Sequence, residues 1–191
     1  MLSDTTSSNS AQPLIVINII GGPGVGKTTL ACGLYAHLKR LNYSIEYVPE
    51  YAKWLVWTGK FDKLNNQYAV TEHQHKLFSA LVGKVKYVIT DSSLLSGLYY
   101  NTENPNNVCN IDKVHDAVHK WSSQYHNINI FLERGTFEYE QVGRYHTHEQ
   151  ALLADQGLEK IYSTSNQNYT KFPSNSTYST LTTYIDANTP A

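Results

Sequence analysis

The residues with the clearest chemistry lie in one run, Gly21-Gly22-Pro23-Gly24-Val25-Gly26-Lys27-Thr28. It has the spacing G-x-x-x-x-G-K-[ST] of a phosphate-binding loop. Glycines let the backbone curl so that successive N–H groups converge on phosphate oxygens. A helix that starts at the end of the loop adds free N–H groups and a partial positive charge. The expectation is an ATP site over Gly21, Gly22, Pro23, Gly24, Val25, Gly26, Lys27, Thr28 and Thr29. Lys27 is expected to neutralise the β and γ oxygens, and the Thr28 hydroxyl to ligate Mg²⁺.

Two carboxylates are candidates for the reacting side. Asp91 closes the run Tyr87-Val88-Ile89-Thr90. An acid at the end of such a strand emerges at the edge of the sheet where open α/β folds bind ligands. There it either holds Mg²⁺ or takes the proton of an acceptor hydroxyl, and it also suits a helix N-cap. Glu50 follows a second short strand, after Val48-Pro49, and reaches the same edge. It is a second candidate to bind or deprotonate an acceptor hydroxyl, and which of the two acids is the base stays open.

Arginine is scarce: Arg40, Arg134 and Arg144 are the only three. A transferring phosphoryl group spreads charge over its oxygens, which the planar arginine fork can meet. Arg134 and Arg144 fall in one polar segment before a helix, and that segment, about 133–150, reads as a closing lid. The expected catalytic set is therefore Lys27, Asp91, Glu50, Arg134 and Arg144.

The histidines form three close pairs, His73 with His75, His115 with His119, and His146 with His148. None belongs to a His-Glu-x-x-His motif, and the cysteines are not paired for zinc. Mg²⁺ at Thr28 and Asp91 is the one metal expected. His146 and His148 are placed to touch a substrate from the lid. Tyr51, Trp54, Trp57 and Tyr68 either stack a base or, as is commoner for aromatics at helical spacing, fill the core.

These groups must be positioned by alternating strands and helices, the pattern of a parallel α/β sheet. Strands are expected at 14–20, 45–48, 87–90, 128–132 and 169–172. Helices are expected at about 27–41, 50–57, 66–82, 92–100, 112–125, 148–162 and 178–185. The first helix should turn Leu30, Leu34, Leu38 and Leu41 inward, and Cys32 should pack there as a small core residue. Residues Asn101 to Asn110 read as a loop.

The chain has 191 residues and a net charge of −1. That length suits one domain, expected at 13–191, after a Ser-, Thr- and Asn-rich tail at 1–12 that is expected to be disordered. The charge provides no global attraction for polyanions. No apolar run reaches membrane-spanning length, and the first residues lack the pattern of a signal peptide. Two cysteines, Cys32 and Cys109, make no disulfide framework, and the expected compartment is the cytoplasm.

Gly21–Thr28, Glu50-Tyr51-Ala52-Lys53, Ile89-Thr90-Asp91-Ser92 and Gly143-Arg144 together resemble small P-loop kinases of the thymidylate-kinase and ribosylnicotinamide-kinase type. The resemblance is closest to a branch of bacteriophage 5-hydroxymethyluracil DNA kinases, through Leu55-Val56-Trp57, the Asn127–Leu132 strand before Arg134, and His148-Glu149-Gln150-Ala151 with Asp155 after it. It implies a three-layer P-loop kinase fold with about five parallel strands and a mobile lid. It also implies ATP and Mg²⁺, and an acceptor that is a nucleoside or nucleotide, foremost the base hydroxymethyl group within phage DNA. The host cytoplasm would then be the location. The chain departs from that branch at Asp91-Ser92-Ser93, where Ser-Pro is expected, and in the Asn-rich stretch. Two rivals remain. One is a kinase for a free nucleoside or nucleotide, such as ribosylnicotinamide or a deoxynucleoside monophosphate. The other is a regulatory ATPase or nucleotide-sensing module.

Overall fold

The structure is a computed structural model that describes residues 13–136 and 138–190. The tail expected to be disordered, residues 1–12, lies outside the described residues. Five strands, β1 (Ile15–Ile20), β2 (Ile45–Val48), β3 (Tyr87–Thr90), β4 (His126–Glu133) and β5 (Thr170–Pro173), form one sheet in the order β2-β3-β1-β4-β5. All four pairings are parallel. The central strand β1 is buried along its whole length, because helices cover both faces of a parallel sheet.

Period-two alternation divides the core. Ile15, Ile17 and Ile19 point to a layer made by α1 (Lys27–Arg40) and α7 (Tyr178–Ala187), where Leu30, Leu34, Leu38, Leu181 and Ile185 meet them. On the other face, Ile20 and Phe131 pack on α4 (Ser96–Glu103), α5 (Ile111–Ser122) and α6 (His148–Thr164). Val16 and Val88 on that face meet Phe78 of α3 (Gln67–Ser79). This is the expected three-layer α/β architecture. Every strand ends at the same edge, so the loops after β1, β2, β3 and β4 meet there.

Local chemistry sets the boundaries. Asn66, Asn110 and Thr177 accept hydrogen bonds from N3 backbone N–H groups and start α3, α5 and α7. Thr147 and Gln150 form a reciprocal capping box at α6, the helix that follows the lid. α2 (Tyr51–Trp57) begins after Pro49, whose ring confines the preceding residue to extended backbone.

Several expectations need correcting. Leu41 is half exposed, because α1 ends at Arg40 and Leu41 is its C-cap. Cys32 is exposed on α1 rather than packed in the core. The fourth helix starts at Ser96, not Ser92, after a turn, and runs on through Glu103 into the stretch expected to be loop. That stretch is knitted by its own amides. Asn107 donates to the backbone and side-chain oxygens of Asn101, Asn104 donates to Leu64 O, and Asn110 caps α5. A 3₁₀ turn at Phe61–Asn65 went unforeseen.

Candidate active site

The phosphate loop links β1 to α1. Lys27 begins the helix and its Nζ donates to Gly22 O at 3.0 Å, which folds the side chain back over the loop. Val25 is fully buried, so its side chain anchors the loop in the core and only its backbone faces a ligand. Thr29 is exposed on the first turn of α1.

Asp91, at the end of β3, is 2 % exposed and gathers three donors. The Thr28 hydroxyl donates to Oδ2. The Tyr47 hydroxyl and the Glu50 backbone N–H each donate to Oδ1 at 3.1 Å. One carboxylate thus ties together the loops that follow β1, β2 and β3. A hydroxyl beside a carboxylate, both oxygen donors, fits the hard cation Mg²⁺.

Glu50 differs from Asp91. Among the described residues its carboxylate makes no hydrogen bond. Burial pushes its pKa up, the Lys27 charge draws it partly down, and the Asp91 carboxylate adds to the rise. Burial likewise lowers the Lys27 pKa, against the pull of Glu50, Asp91 and Asp155. Lys53, one turn into α2, brings its Nζ to 3.5 Å from Thr28 Oγ1.

The segment expected to be a lid, about 133–150, approaches from the other side. Arg134 donates from Nη2 to Pro23 O at 2.9 Å and from Nε to Asp155 Oδ2 at 2.7 Å. Asp155, on α6, also accepts the Gly22 N–H through Oδ1 at 2.5 Å. Helix and loop are so close here that a Cβ on Gly22 would meet Ala151 O at 2.5 Å. The ring of Tyr139 covers Gly24, donates its hydroxyl to His146 O at 2.7 Å and stacks on His148. Arg144 instead turns within the lid: it donates to Glu140 O and lies over the Tyr139 ring, 5.3 Å from its centroid. Of the two lid arginines, Arg134 is the one that touches the phosphate loop.

Aromatic rings cluster near Glu50 and Lys27. Tyr100 and His146 lie 5.7 Å apart between rings. Burial raises the Tyr100 pKa, with Glu50 adding to it, and burial with the Lys27 charge lowers that of His146. Trp57 covers Gly143. His73, His75 and His115 are engaged by neighbouring side chains, and His119 is exposed. His73 stacks on Tyr51 and His75 on Trp121, and His115 contacts the Thr102 hydroxyl. Trp54, Trp57 and Tyr68 are exposed, so they do not fill the core.

Sequence reading missed the roles of Tyr47, Tyr100 and Tyr139, and the part Asp155 plays at Gly22. Among 15 tyrosines nothing local marks Tyr100 or Tyr139. Tyr47 had one signal, its place just before the end of a strand that reaches the ligand edge.

A family model described as an AAA domain matches residues 16–179. The chain belongs to that AAA domain family. It is a P-loop NTPase-like domain, and its strand–loop–helix start is the nucleotide-binding part of that fold. Among solved structures, this AAA domain is similar to the NadR protein in complex with NR (TM-score 0.69, 15 % identity, 92 % of this chain and 52 % of that one). It is also similar to the NadR protein in complex with NAD and AMP-PNP (TM-score 0.64, 11 % identity, 92 % and 49 %). At those identities the likeness is one of fold. The chain spans about half the length of the NadR chains it matches. No curated protein matches its sequence. No helix among the described residues is long and apolar enough to cross a membrane.

Proposed function

We propose that the protein is an ATP-dependent kinase that transfers the γ-phosphoryl group to a hydroxyl of a nucleoside-type acceptor, within a single domain spanning 13–191. The observation that carries this reading is the division of labour between the two acids. Asp91 accepts from Thr28, Tyr47 and the Glu50 N–H. Glu50 is left with a raised pKa beside Lys27. A base with a raised pKa next to a phosphate cradle suits deprotonation of an alcohol.

The loop amides from Gly21 to Thr29 bind the triphosphate and Lys27 meets its β and γ oxygens. Thr28 and Asp91 would hold Mg²⁺, which supplies charge neutralisation between the phosphates when bound. Glu50 takes the acceptor proton. Arg134, fixed by Asp155, offers its fork at the loop, and Arg144 joins it when the lid rearranges around a ligand. Tyr139 and the Trp57–Gly143 contact close the cleft against water.

The finer acceptor is the 5-hydroxymethyl group of 5-hydroxymethyluracil in DNA. Its support is that Lys53 and Trp57, from the Glu-Tyr-Ala-Lys-Trp-Leu-Val-Trp block, meet Thr28 and Gly143 from the other motif blocks. Such a base would have to leave the duplex to reach Glu50. A free nucleoside is the second reading, favoured by the fold shared with the NadR structure that contains NR. One assay separates them. The protein, Mg²⁺ and γ-labelled ATP are offered DNA containing 5-hydroxymethyluracil and, in parallel, free ribosylnicotinamide and deoxynucleoside monophosphates. Label in DNA supports the first, label in a small nucleoside the second. Phosphate release with no labelled acceptor leaves the regulatory ATPase and defeats the kinase reading.

A further inference from the structure

We propose that the hollow between α2, the Phe61–Asn65 turn and α3 is a second binding site, separate from the phosphate cleft, for a mononucleotide: a flat ring carrying one phosphate. The hollow has a volume of about 370 Å³, within the range of small-molecule pockets. Leu55 and Val70 provide an apolar floor. On its wall the Tyr51 ring lies on His73, with centroids 3.8 Å apart and planes at 23°; Trp54, outside the lining, lies 6.1 Å from Tyr51 at 15° with Lys60 over its ring. Such a stack is extended by another flat ring.

Charge selects the rest of the ligand. Lys63 and Lys76 line the hollow with one acid, Glu72. Glu72 is taken by Lys76 at 2.7 Å. Lys63 has no carboxylate partner among the described residues. The lining therefore carries an excess positive charge close to the ring stack, which matches a phosphate tethered to a base.

The geometry of α2 keeps this site apart from the reacting one. At about 100° per residue, Lys53 and Trp57 share a face with Glu50, and that face meets Thr28 and Gly143. Tyr51 and Leu55 lie on the other side, in the hollow. On α3, Thr71, Gln74 and Phe78 are buried toward the core. Val70, His73 and Lys76 face the hollow. α2 is thus one wall shared by two sites, and a nucleotide in the hollow is neither phosphoryl donor nor acceptor.

The test uses the full chain with Mg²⁺ and saturating AMP-PNP to fill the phosphate loop. AMP, GMP, CMP and TMP are titrated calorimetrically into the wild type and into Lys63→Ala and His73→Ala. Both side chains are exposed, and matching thermal melts confirm that the variants fold. The expected result is that at least one of the four binds the wild type and binds each variant about tenfold more weakly, the loss of one charged or stacking contact. Equal affinity in all three proteins, or no uptake of any of the four, overturns the proposal. Uptake at an acceptor site in the phosphate cleft would be unchanged in both variants, so the loss on Lys63→Ala and His73→Ala reads the hollow apart from the kinase reading.

Discussion

Asp91 accepts the backbone N–H of Glu50 at 3.1 Å, so one acid fixes the position of the other. The same carboxylate holds the Thr28 hydroxyl. The end of β3 therefore sets the distance between the phosphate loop and the start of α2.

Glu50→Gln should lower kcat by about 10²- to 10⁴-fold, the usual worth of a general base, with a smaller change in ATP binding. Its effect on stability runs the other way. Burial holds the Glu50 carboxyl above the ordinary range. Its contribution to folding is complete below the unfolded-state pKa and is lost as pH rises through the folded-state value. The glutamine mimics the protonated form. Denaturant melts should find Glu50→Gln more stable than wild type at neutral pH, with the difference vanishing in acid. A variant that is less stable at neutral pH would contradict the raised pKa.

Asp91→Ala should be the costliest of the site substitutions for folding. It leaves the Thr28 hydroxyl, the Tyr47 hydroxyl and the Glu50 N–H without their acceptor, at about 1–3 kcal/mol for each group left unsatisfied. Tyr47→Phe removes one of the three bonds and should cost about 1 kcal/mol. Chemical denaturation of the two variants checks the ratio.

Lys27→Ala should cut turnover by at least about 10²-fold, as for loss of one preorganised charge at a transition state. Folding should be little affected, because burial works against the Lys27 charge in the free protein. Calorimetry with AMP-PNP and a thermal melt separate the two effects.

Gly143→Ala should disturb the lid. Its backbone φ is +74°, and an added Cβ would come within 2.8 Å of Trp57 Cε2. We expect about 1–2 kcal/mol of strain from the left-handed backbone alone and a fall in kcat of about tenfold or more from misplaced lid residues. Trp57→Ala in the same background removes the clash but not the strain, so it should restore part of the loss. A double-mutant cycle on kcat measures that coupling. Strictly additive effects would mean that the contact does not position the lid.

Burial, with the Lys27 charge, lowers the His146 pKa. Its lowered pKa means that the unfolded chain binds protons more readily below about pH 6.5. Stability from this group is therefore lost as pH falls through that value. His146→Gln should flatten the acid limb of the stability profile, read from melts between pH 7 and pH 5.

The sheet, its helices and the phosphate loop were legible in the sequence because their causes are local. The apolar run at Ile15–Ile20 and the spacing of Leu30, Leu34 and Leu38 record which faces are buried. One partnership there was not legible: Asn18 lies in the buried strand and donates to Asn127 and Asn129 of the neighbouring strand, at 3.0 Å each. That amide network depends on parallel register, which no run of residues displays. Cys32 and Leu41 went astray for a similar reason, since helical periodicity marks a face but not what lies above it.

By itself, the order of residues determined that a glycine-rich turn between a buried strand and a helix would present N–H groups to a phosphate, and that Asp91 and Glu50 would sit at strand ends. Folding decided how those acids differ. Asp91 became an acceptor for three donors, from the first turn of α1, from β2 and from the residue before α2, and Glu50 was left partly buried with no donor among the described residues. It also chose Arg134 over Arg144 for the phosphate loop, by setting Asp155 beside Gly22. Each of these outcomes depends on distances between segments tens of residues apart, and such distances are set by how helices pack on a sheet rather than by neighbours along the chain.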